Sequence, residues 1–286
     1  MSAQRLARAD LHLHTSASDG VLSPSELVRV AAGKGLRVIA ITDHDTLEGI
    51  PEAVSVAGDF PDLKVIPGVE INTDSPEGEI HILGYFVRSE DAELREALMR
   101  LRDSRTDRAR RMCQRLADLG MPIPWEKVLA VAGKGALGRP HIAQAMREMG
   151  YIATLKEAFV KYLGFGCPAY VEREKLPSED AVRLISGAGG MAALAHPLFL
   201  ADLETWVARL HAAGLAGLEV AYPGFSSDSQ DYLERLAIQY GLIPVGGSDY
   251  HGLPSLDRAD VGGVPVPLSW LERLMAWERP TAPLVR

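Results

Sequence analysis

Cysteine is scarce in this sequence of 286 residues, which contains only Cys113 and Cys167. Two cysteines cannot form a disulfide framework, so we expect a reducing compartment, the cytoplasm. The opening segment, MSAQRLARAD, has no apolar stretch of the signal-peptide type. No uninterrupted apolar run reaches the roughly 18 residues that a membrane helix needs. These absences predict a cytoplasmic protein with no membrane partner.

Positive charge is also in short supply. The chain has 30 Lys and Arg residues against 38 Asp and Glu residues, which gives a net charge of −8. Proteins that bind long nucleic acids need a positive field, so the total charge argues against such a partner. A hydrophobic content of 47% is typical of a globular protein and excludes wholesale disorder. An anionic ligand would therefore need a local positive feature, and the oligomeric state is left open.

Three familiar enzyme motifs are missing as well. The chain has no Walker loop, no Gly-x-Gly-x-x-Gly fingerprint after its first predicted strand and no Gly-x-Ser-x-Gly elbow. These absences argue against a P-loop NTPase, a Rossmann dinucleotide enzyme and a serine hydrolase of the elbow type.

Short apolar runs alternate with amphipathic helical patterns along most of the chain. The expected strands cover residues 9–13, 38–41, 65–69, 80–86, 191–195, 215–221 and 242–245. The segment Ser23-Pro24-Ser25-Glu26 is a helix start, with Ser at the N-cap, Pro at N1 and Glu at N3. Such alternation predicts parallel strands joined by crossover helices, and therefore an α/β sheet or barrel.

One long segment interrupts the alternation. Between residues 91 and 163 there is no convincing strand, and helical patterns cover residues 92–119, 125–132, 142–149 and 155–162. We therefore expect a barrel built from residues 1–90 and 164–286, with residues 91–163 forming an all-helical insertion.

Histidines and carboxylates gather at the ends of the predicted strands. The set is His12, His14, Asp19, His44, Glu70, His81, His196, Asp249 and His251. The carboxyl ends of parallel barrel strands meet at one mouth, where catalytic residues accumulate. A lone histidine at a strand end is usually structural. Nine such groups exceed the needs of one tetrahedral ion, so the set predicts two or three divalent ions such as Zn, Mn or Fe.

Three polar residues near these motifs are not counted as ligands. Asp45 has the position of a helix cap, and Asp43 is a candidate to orient a ligand histidine. His211 lies at the end of a predicted helix, where the helix dipole favours it, so it is left out of the site.

A cluster of this kind is suited to hydrolysis. Two metal ions about 3.5–4 Å apart can activate water, polarise a phosphoryl oxygen and stabilise the leaving oxygen. Glu70 stands in the middle of the ligand order and is the expected bridge between two ions. The expected activity is therefore phosphate-ester hydrolysis, in which a metal-bound hydroxide attacks phosphorus.

The ligands fall in short motifs whose order is informative. These are Asp10-Leu11-His12-Leu13-His14-Thr15 with Ser18-Asp19-Gly20, Ile41-Thr42-Asp43-His44-Asp45, Gly68-Val69-Glu70, Ala195-His196-Pro197 and Ser248-Asp249-Tyr250-His251. Together they resemble the PHP (polymerase and histidinol phosphatase) family over residues 9–252. The resemblance implies an α/β fold of the distorted (β/α)7 PHP type, here with an inserted all-helical subdomain. It also implies three bound divalent ions, of which Mn is the first expectation and Fe or Zn are alternatives.

The resemblance further implies a ligand set for each ion. The first set is His12, His14, Glu70 and Asp249; the second is Glu70, His81 and His196; the third is Asp19, His44 and His251. Glu70, Asp249 and His196 are the candidates for direct participation in catalysis. Some family members have histidine where Asp19 stands.

The insertion, with Gly138-Arg139-Pro140-His141-Ile142-Ala143, resembles one branch of the family. That branch comprises bacterial 3′,5′-nucleoside bisphosphate phosphatases and 5′→3′ exonucleases acting on short oligonucleotides. The expected reaction converts adenosine 3′,5′-bisphosphate to AMP and phosphate. The alternatives are a histidinol phosphate phosphatase, a PHP-like module that only binds a partner, and, less favoured, an amide hydrolase.

The insertion also carries the densest basic run of this acidic chain, residues 100–111. A run of this kind is often a solvated helix face. A bisphosphate, however, needs a second anion site away from the metals, and arginine suits phosphate geometry. The candidate substrate-binding residues of this substrate lid are Arg102, Arg105, Lys134, Arg139 and His141. His141 is equally well explained as a helix-start residue.

Overall fold

A computed structural model of the chain describes residues 6–75, 78–133, 137–172, 176–253 and 257–277. The strands are β1 (Leu6–Ala7), β2 (Ala9–Leu13), β3 (Val38–Ile41), β4 (Lys64–Ser75), β5 (Gly78–Tyr85), β6 (Met191–Leu194), β7 (Gly217–Ala221), β8 (Ile243–Gly246) and β9 (Val266–Pro267). The α-helices are α1 (Pro24–Gly33), α2 (Ile50–Ala57), α3 (Ala92–Asp118), α4 (Trp125–Ala132), α5 (Arg139–Glu148), α6 (Leu155–Ala158), α7 (Ser178–Gly187), α8 (Leu203–Ala212), α9 (Ser227–Gln239) and α10 (Leu268–Met275). A π-helical turn spans Phe159–Leu163, and a 3-10 turn spans Pro197–Phe199.

Strands β2 to β8 form one seven-stranded sheet in chain order. Beyond β8 the chain returns to β2, where the Asp249 N–H donates to His12 O (2.9 Å) and the His14 N–H donates to Tyr250 O (3.1 Å). These two bonds nearly close the sheet into a barrel, which confirms the predicted α/β barrel.

One strand runs against the expected direction. β5 pairs antiparallel with both β4 and β6, so β4 and β5 form a hairpin. The prediction of parallel strands throughout is wrong here because only residues 76 and 77 separate β4 from β5, too few for a crossover helix. β4 is also longer than expected, and Glu70 lies in its middle, opposite Leu83 of β5.

The barrel strands bury both faces. Along β3, Val38 and Ala40 belong to an inner cluster that also contains residues of β2, β4, β5, β6, β8 and α10. The intervening Ile39 and Ile41 pack outward, in a cluster with residues of α1. Because both faces of each strand are buried, the strands appear in the sequence as continuous apolar runs. The predicted capping box of α1 is present, with the Ser23 side chain and Glu26 bonding reciprocally.

The described elements between β5 and α7 are all helical. α3 spans both packing regions: Leu94, Leu98 and Leu101 join the cluster of the barrel and its outer helices, whereas Met112 and Leu116 join a separate cluster. That separate cluster includes residues of α4, α5 and α6 and continues to Val171. None of the described helices combines the length and the apolar character needed to cross a membrane.

Candidate metal centre

The nine predicted ligands converge at one end of the barrel, and Glu70 lies at their centre. Its Oε2 atom is 3.3 Å from His12 Nε2, 3.3 Å from His14 Nε2 and 3.0 Å from His44 Nδ1. The carboxylate is almost completely buried. The central position follows from the hairpin, because the extended β4 carries Glu70 between β5 and the chain that continues from β3 through His44.

The second carboxylate oxygen of Glu70 faces different partners. Oε1 lies 2.8 Å from His81 Nδ1 and 3.3 Å from His196 Nε2, and these two nitrogens are 3.1 Å apart. The two oxygens of one carboxylate therefore face two different groups of imidazoles, which is the geometry a bridging ligand requires.

Asp249 completes the group around His12 and His14. Its Oδ1 atom lies 3.3 Å from His12 Nε2 and 3.1 Å from His14 Nε2. Its Oδ2 atom accepts a 2.7 Å hydrogen bond from the Tyr222 hydroxyl. That bond leaves Oδ1 directed at the two histidines.

Asp19 gathers a further set of imidazoles. Its carboxylate lies 3.4 Å from His251 Nε2, 3.9 Å from His44 Nε2 and 4.0 Å from His14 Nδ1. Asp19 reaches this position from a loop that Asp43 anchors.

Metal ions suit this arrangement because many ligand atoms are buried without a hydrogen-bond partner. Among the described residues these atoms are His12 Nε2, both ring nitrogens of His14, His44 Nδ1, Asp19 Oδ1 and Glu70 Oε2. Burial without a partner is costly for polar atoms. Three groups have ligand atoms within 4.8 Å of one another: His14, Asp19, His44 and His251; His12, His14, Glu70 and Asp249; and His44, Glu70 and His81. Imidazole nitrogens and carboxylate oxygens are the donors that divalent transition metals prefer.

The pKa shifts of Glu70 and His12 show that the carboxylates and imidazoles of this cluster stabilise each other's charged forms. Burial acts to raise the pKa of Glu70, but His44, His12 and His81 outweigh it and hold that pKa well below its usual range. Burial acts to lower the pKa of His12, but the surrounding carboxylates, led by Glu219, raise it well above its usual range. The same carboxylates would stabilise divalent cations.

The backbone is strained at the site. His196 and Asp249 have φ values of 28° and 51°, and Asp45, beside His44, also has a φ of 51°. A non-glycine residue with a positive φ costs about 1–3 kcal/mol of conformational energy, and such residues concentrate at functional sites.

Glu219 is a residue of this cluster that the sequence reasoning missed. It is completely buried in β7, where Oε1 lies 2.9 Å from His12 Nδ1 and Oε2 accepts a 2.6 Å bond from the His196 N–H. Carboxylates that bond the second nitrogen of a histidine orient it toward a metal. The available signal was a charged residue in the middle of the apolar run at residues 215–221.

The two ambiguous aspartates have structural partners. Asp43 accepts bonds from Thr15 N (2.7 Å), Thr15 Oγ1 (2.7 Å) and Ser18 Oγ (2.6 Å), so it holds the loop before Asp19 rather than a histidine. The prediction that Asp45 caps a helix is wrong, because α2 begins four residues later than a cap at Asp45 would require, with Gly49 as its N-cap. The Asp45 carboxylate instead joins the barrel to the helical segment by accepting bonds from Asn72 N and from an arginine of α3.

That arginine is Arg105, which belongs to a cavity of about 240 Å³ between the ligand cluster and the helices. Arg105 is buried; its Nε donates to Asp45 Oδ2 at 2.5 Å, and its Nη2 is buried without a hydrogen-bond partner among the described residues. A Cβ atom added to Gly138 would lie 3.6 Å from Asp19 Oδ2 and 3.7 Å from Arg105 Nη1. The guanidinium and a candidate metal ligand therefore border the same narrow gap.

Two more arginines line this cavity. Arg139 Nη2 lies 2.5 Å from Glu79 Oε2, and Arg108 Nη1 lies 3.3 Å from Glu79 Oε1. The Arg139 guanidinium also lies over the Phe159 ring, 5.7 Å from its centroid. These three arginines therefore line the cavity together with the ligand cluster, and two of them share the carboxylate of Glu79.

Two other predicted substrate residues, Arg102 and His141, are not among the residues that line this cavity. Arg102 pairs with Glu48 and lines a different cavity. Lys134 lies outside the described residues. His141 is buried near the start of α5, where its Nδ1 accepts a 3.0 Å bond from the Gly138 N–H. Of its two interpretations, this bond supports the helix-start role.

Comparison with known proteins agrees with this geometry. The PHP domain signature matches residues 10–105. The 5′-3′ exoribonuclease Rnm of Salmonella typhimurium is 39% identical over 249 residues, covering 85% of this chain and 84% of the relative. The 3′,5′-nucleoside bisphosphate phosphatase of Chromobacterium violaceum is 33% identical over 262 residues, covering 90% and 91%. The structure of an amidohydrolase from Chromobacterium violaceum with bound sulfate superposes with a TM-score of 0.85 at 31% identity, covering 96% and 99%. The chain therefore belongs to the PHP family.

Proposed function

We propose that the protein is a metal-dependent phosphomonoesterase that hydrolyses nucleoside 3′,5′-bisphosphates, such as adenosine 3′,5′-bisphosphate, to AMP and phosphate. Hydrolysis of short oligonucleotides in the 5′→3′ direction is its expected second activity. The cavity that the ligand cluster shares with Arg105, Arg108 and Arg139 carries the proposal, and the names of the two curated relatives support it.

The nine cluster residues would hold three divalent ions, Mn being the first expectation. His12, His14, Glu70 and Asp249 would bind one ion; Glu70, His81 and His196 a second; and Asp19, His44 and His251 a third. When bound, such ions would neutralise phosphate charge and activate water. Glu70 supports two of these sites because its two oxygens face separate groups of imidazoles.

The protein's own groups hold this centre in shape. Tyr222 donates to Asp249 Oδ2, which directs Oδ1 toward His12. Glu219 accepts from His196 N and holds His12 Nδ1, which directs His12 Nε2 toward Glu70. In this proposal Glu70, Asp249 and His196 are the residues closest to the reacting phosphate.

Arg105, Arg108 and Arg139 would hold the second phosphate. Arg105 Nη2 supports this role because it is a buried guanidinium nitrogen without a described partner, in a group that borders the cavity. Arg108 and Arg139 are adjacent donors. The helices of residues 91–163 would then act as a lid that supplies this second anion site.

Substrate turnover and one matched set of variants test the proposal. The metal-reconstituted protein should hydrolyse adenosine 3′,5′-bisphosphate far faster than histidinol phosphate, and a chelator should abolish the reaction. Arg105→Lys keeps a cation for Asp45 but loses the second nitrogen, so KM for the bisphosphate should rise about tenfold or more. Arg100→Ala, on the exposed side of α3 in an ion pair with Glu96, is the control.

The contrary outcomes are distinct. Faster turnover of histidinol phosphate would assign the alternative phosphatase activity. Fewer than one ion per chain, with no activity after Mn addition, would favour a binding module. An unchanged KM in both Arg105→Lys and Arg139→Ala would refute the second anion site. We further propose a cytoplasmic location, which the two free cysteines support.

A further inference from the structure

An aromatic surface continues from the ligand cluster out to solvent. Phe199 ends the 3-10 turn after His196, and its side chain is 60% exposed. The Phe199 ring centroid lies 5.6 Å from that of His196 and 5.7 Å from that of Tyr222, with Tyr222 edge-on at 87°. Phe225 packs 5.1 Å from Tyr222 and 6.1 Å from Phe199. We call Phe199, Tyr222 and Phe225 the aromatic platform.

The platform begins where the substrate cavity ends. Tyr222 lines the cavity and bonds Asp249. Phe199 contacts the ring of His196, whose Nε2 faces Glu70. A substrate with one phosphate at the arginines of the proposed second anion site and the next at the ligand cluster would therefore meet this platform as it continues outward.

A cation lies beside the platform. Arg258 is exposed and lines the same cavity. A Cβ atom added to Gly224, in the loop between Tyr222 and Phe225, would lie 3.3 Å from Arg258 Nη1. Aromatic faces next to arginines are the elements with which proteins bind single-stranded nucleic acids, since every base can stack and every linkage carries charge.

We propose that the aromatic platform stacks the base of the second nucleoside of an oligonucleotide, which is joined to the scissile phosphate on the side opposite the nucleoside that leaves, with Arg258 as a neighbouring phosphate contact. This inference rests on the proposed function. A nucleoside bisphosphate has no such base, so the platform selects for chain length. The platform would therefore favour oligonucleotides of at least two nucleosides over mononucleotides.

The ratio of two kcat/KM values tests the platform: the value for a 5′-phosphorylated dinucleotide divided by that for adenosine 3′,5′-bisphosphate. Phe199→Ala should lower this ratio about tenfold, because stacking of one base is lost. Phe199→Leu, which keeps apolar bulk without an aromatic face, should lower it similarly, and Phe199→Trp should keep it. The control is Phe165→Ala, which removes an aromatic side chain of equal exposure, 59%, from a surface beside Cys167.

A binding measurement separates stacking from a general disturbance of His196. A non-cleavable dinucleotide with a methylene-bridged linkage and 2-aminopurine as its second base should lose fluorescence on binding to the wild type, as the base stacks. Phe199→Ala should weaken this quenching, while Phe165→Ala should match the wild type.

An unchanged ratio in Phe199→Ala, or an equal fall for both substrates, would overturn the platform. Equal quenching in wild type and Phe199→Ala would do the same. These results differ from failure of the proposed function, in which the wild type would hydrolyse neither substrate.

Discussion

Replacing Glu219 by glutamine would test how the cluster holds its histidines. The carboxylate is fully buried and serves two donors, the His12 ring at Nδ1 (2.9 Å) and the His196 N–H (2.6 Å). Glutamine has nearly the same shape but places an NH₂ group where one carboxylate oxygen stood. One of the two contacts must therefore change.

The backbone N–H of His196 can only donate, so the glutamine oxygen should stay with it. The NH₂ group then faces His12 Nδ1, and the ring must carry its proton on Nε2, toward Glu70 and Asp249. That tautomer has no lone pair to offer a metal ion on this side. Loss of such an orienting carboxylate typically lowers metal affinity about 10- to 100-fold, which corresponds to about 1.4–2.7 kcal/mol.

Calorimetric titration of chelator-stripped protein with Mn would measure this loss, and activity against Mn concentration would provide a second reading. Glu234→Gln is the matched control, because Glu234 is a partly buried carboxylate of α9 that accepts a 2.9 Å bond from Trp270 Nε1. An Mn affinity within twofold of wild type in Glu219→Gln would refute the reasoning.

Three further predictions concern the scaffold. A Cβ atom at Gly247 would overlap the backbone nitrogen of His12, so Gly247→Ala should lower the free energy of unfolding in urea by about 3 kcal/mol. The control Gly187→Ala has open space around its Cβ and should leave that free energy unchanged. Equal stability of the two variants would contradict this prediction. Asp45→Asn removes the buried charged partner of Arg105 and should lower the free energy of unfolding by about 3 kcal/mol, measured in the same way. A loss below about 1 kcal/mol would contradict a stabilising role for that ion pair. Burial raises the pKa of the Cys113 thiol to about 11. At pH 8 a thiol reagent should therefore label the half-buried Cys167 first and Cys113 only when the protein unfolds. Labelling of both cysteines at the same rate in the native protein would contradict this prediction.

The convergence of the nine candidate ligands was predictable because its information is local. Each ligand follows or lies on an apolar run, and the two-residue period of a strand places His12 and His14 on one face. Residue type alone specifies the chemistry, since imidazole and carboxylate are metal donors wherever they converge. Strand period and residue type together therefore indicate one cluster for the nine residues.

Other features depended on pairings in the folded structure that the residue pattern does not specify. The periodicity of β5 is the same in either direction, so only the two-residue connection to β4 and the pairing with β6 made it antiparallel. Glu219 is a lone charge within an apolar strand, and the fold brings it to His12, 207 residues away in sequence. Such pairings produce no periodic pattern in the amino-acid sequence.

The arginines of α3 also separate what the sequence predicts from what the tertiary structure decides. Arg102 and Arg105 lie three residues apart on one helix, and the sequence alone indicates that they share a face. The tertiary structure separates them, because the barrel presents Asp45 to Arg105 and Glu48 to Arg102. The sequence by itself determined which chemistry the chain carries, since that depends on residue type and strand period. Only the packing of the helices against the barrel decided which cations border the cavity, because burial and pairing depend on what lies opposite each side chain.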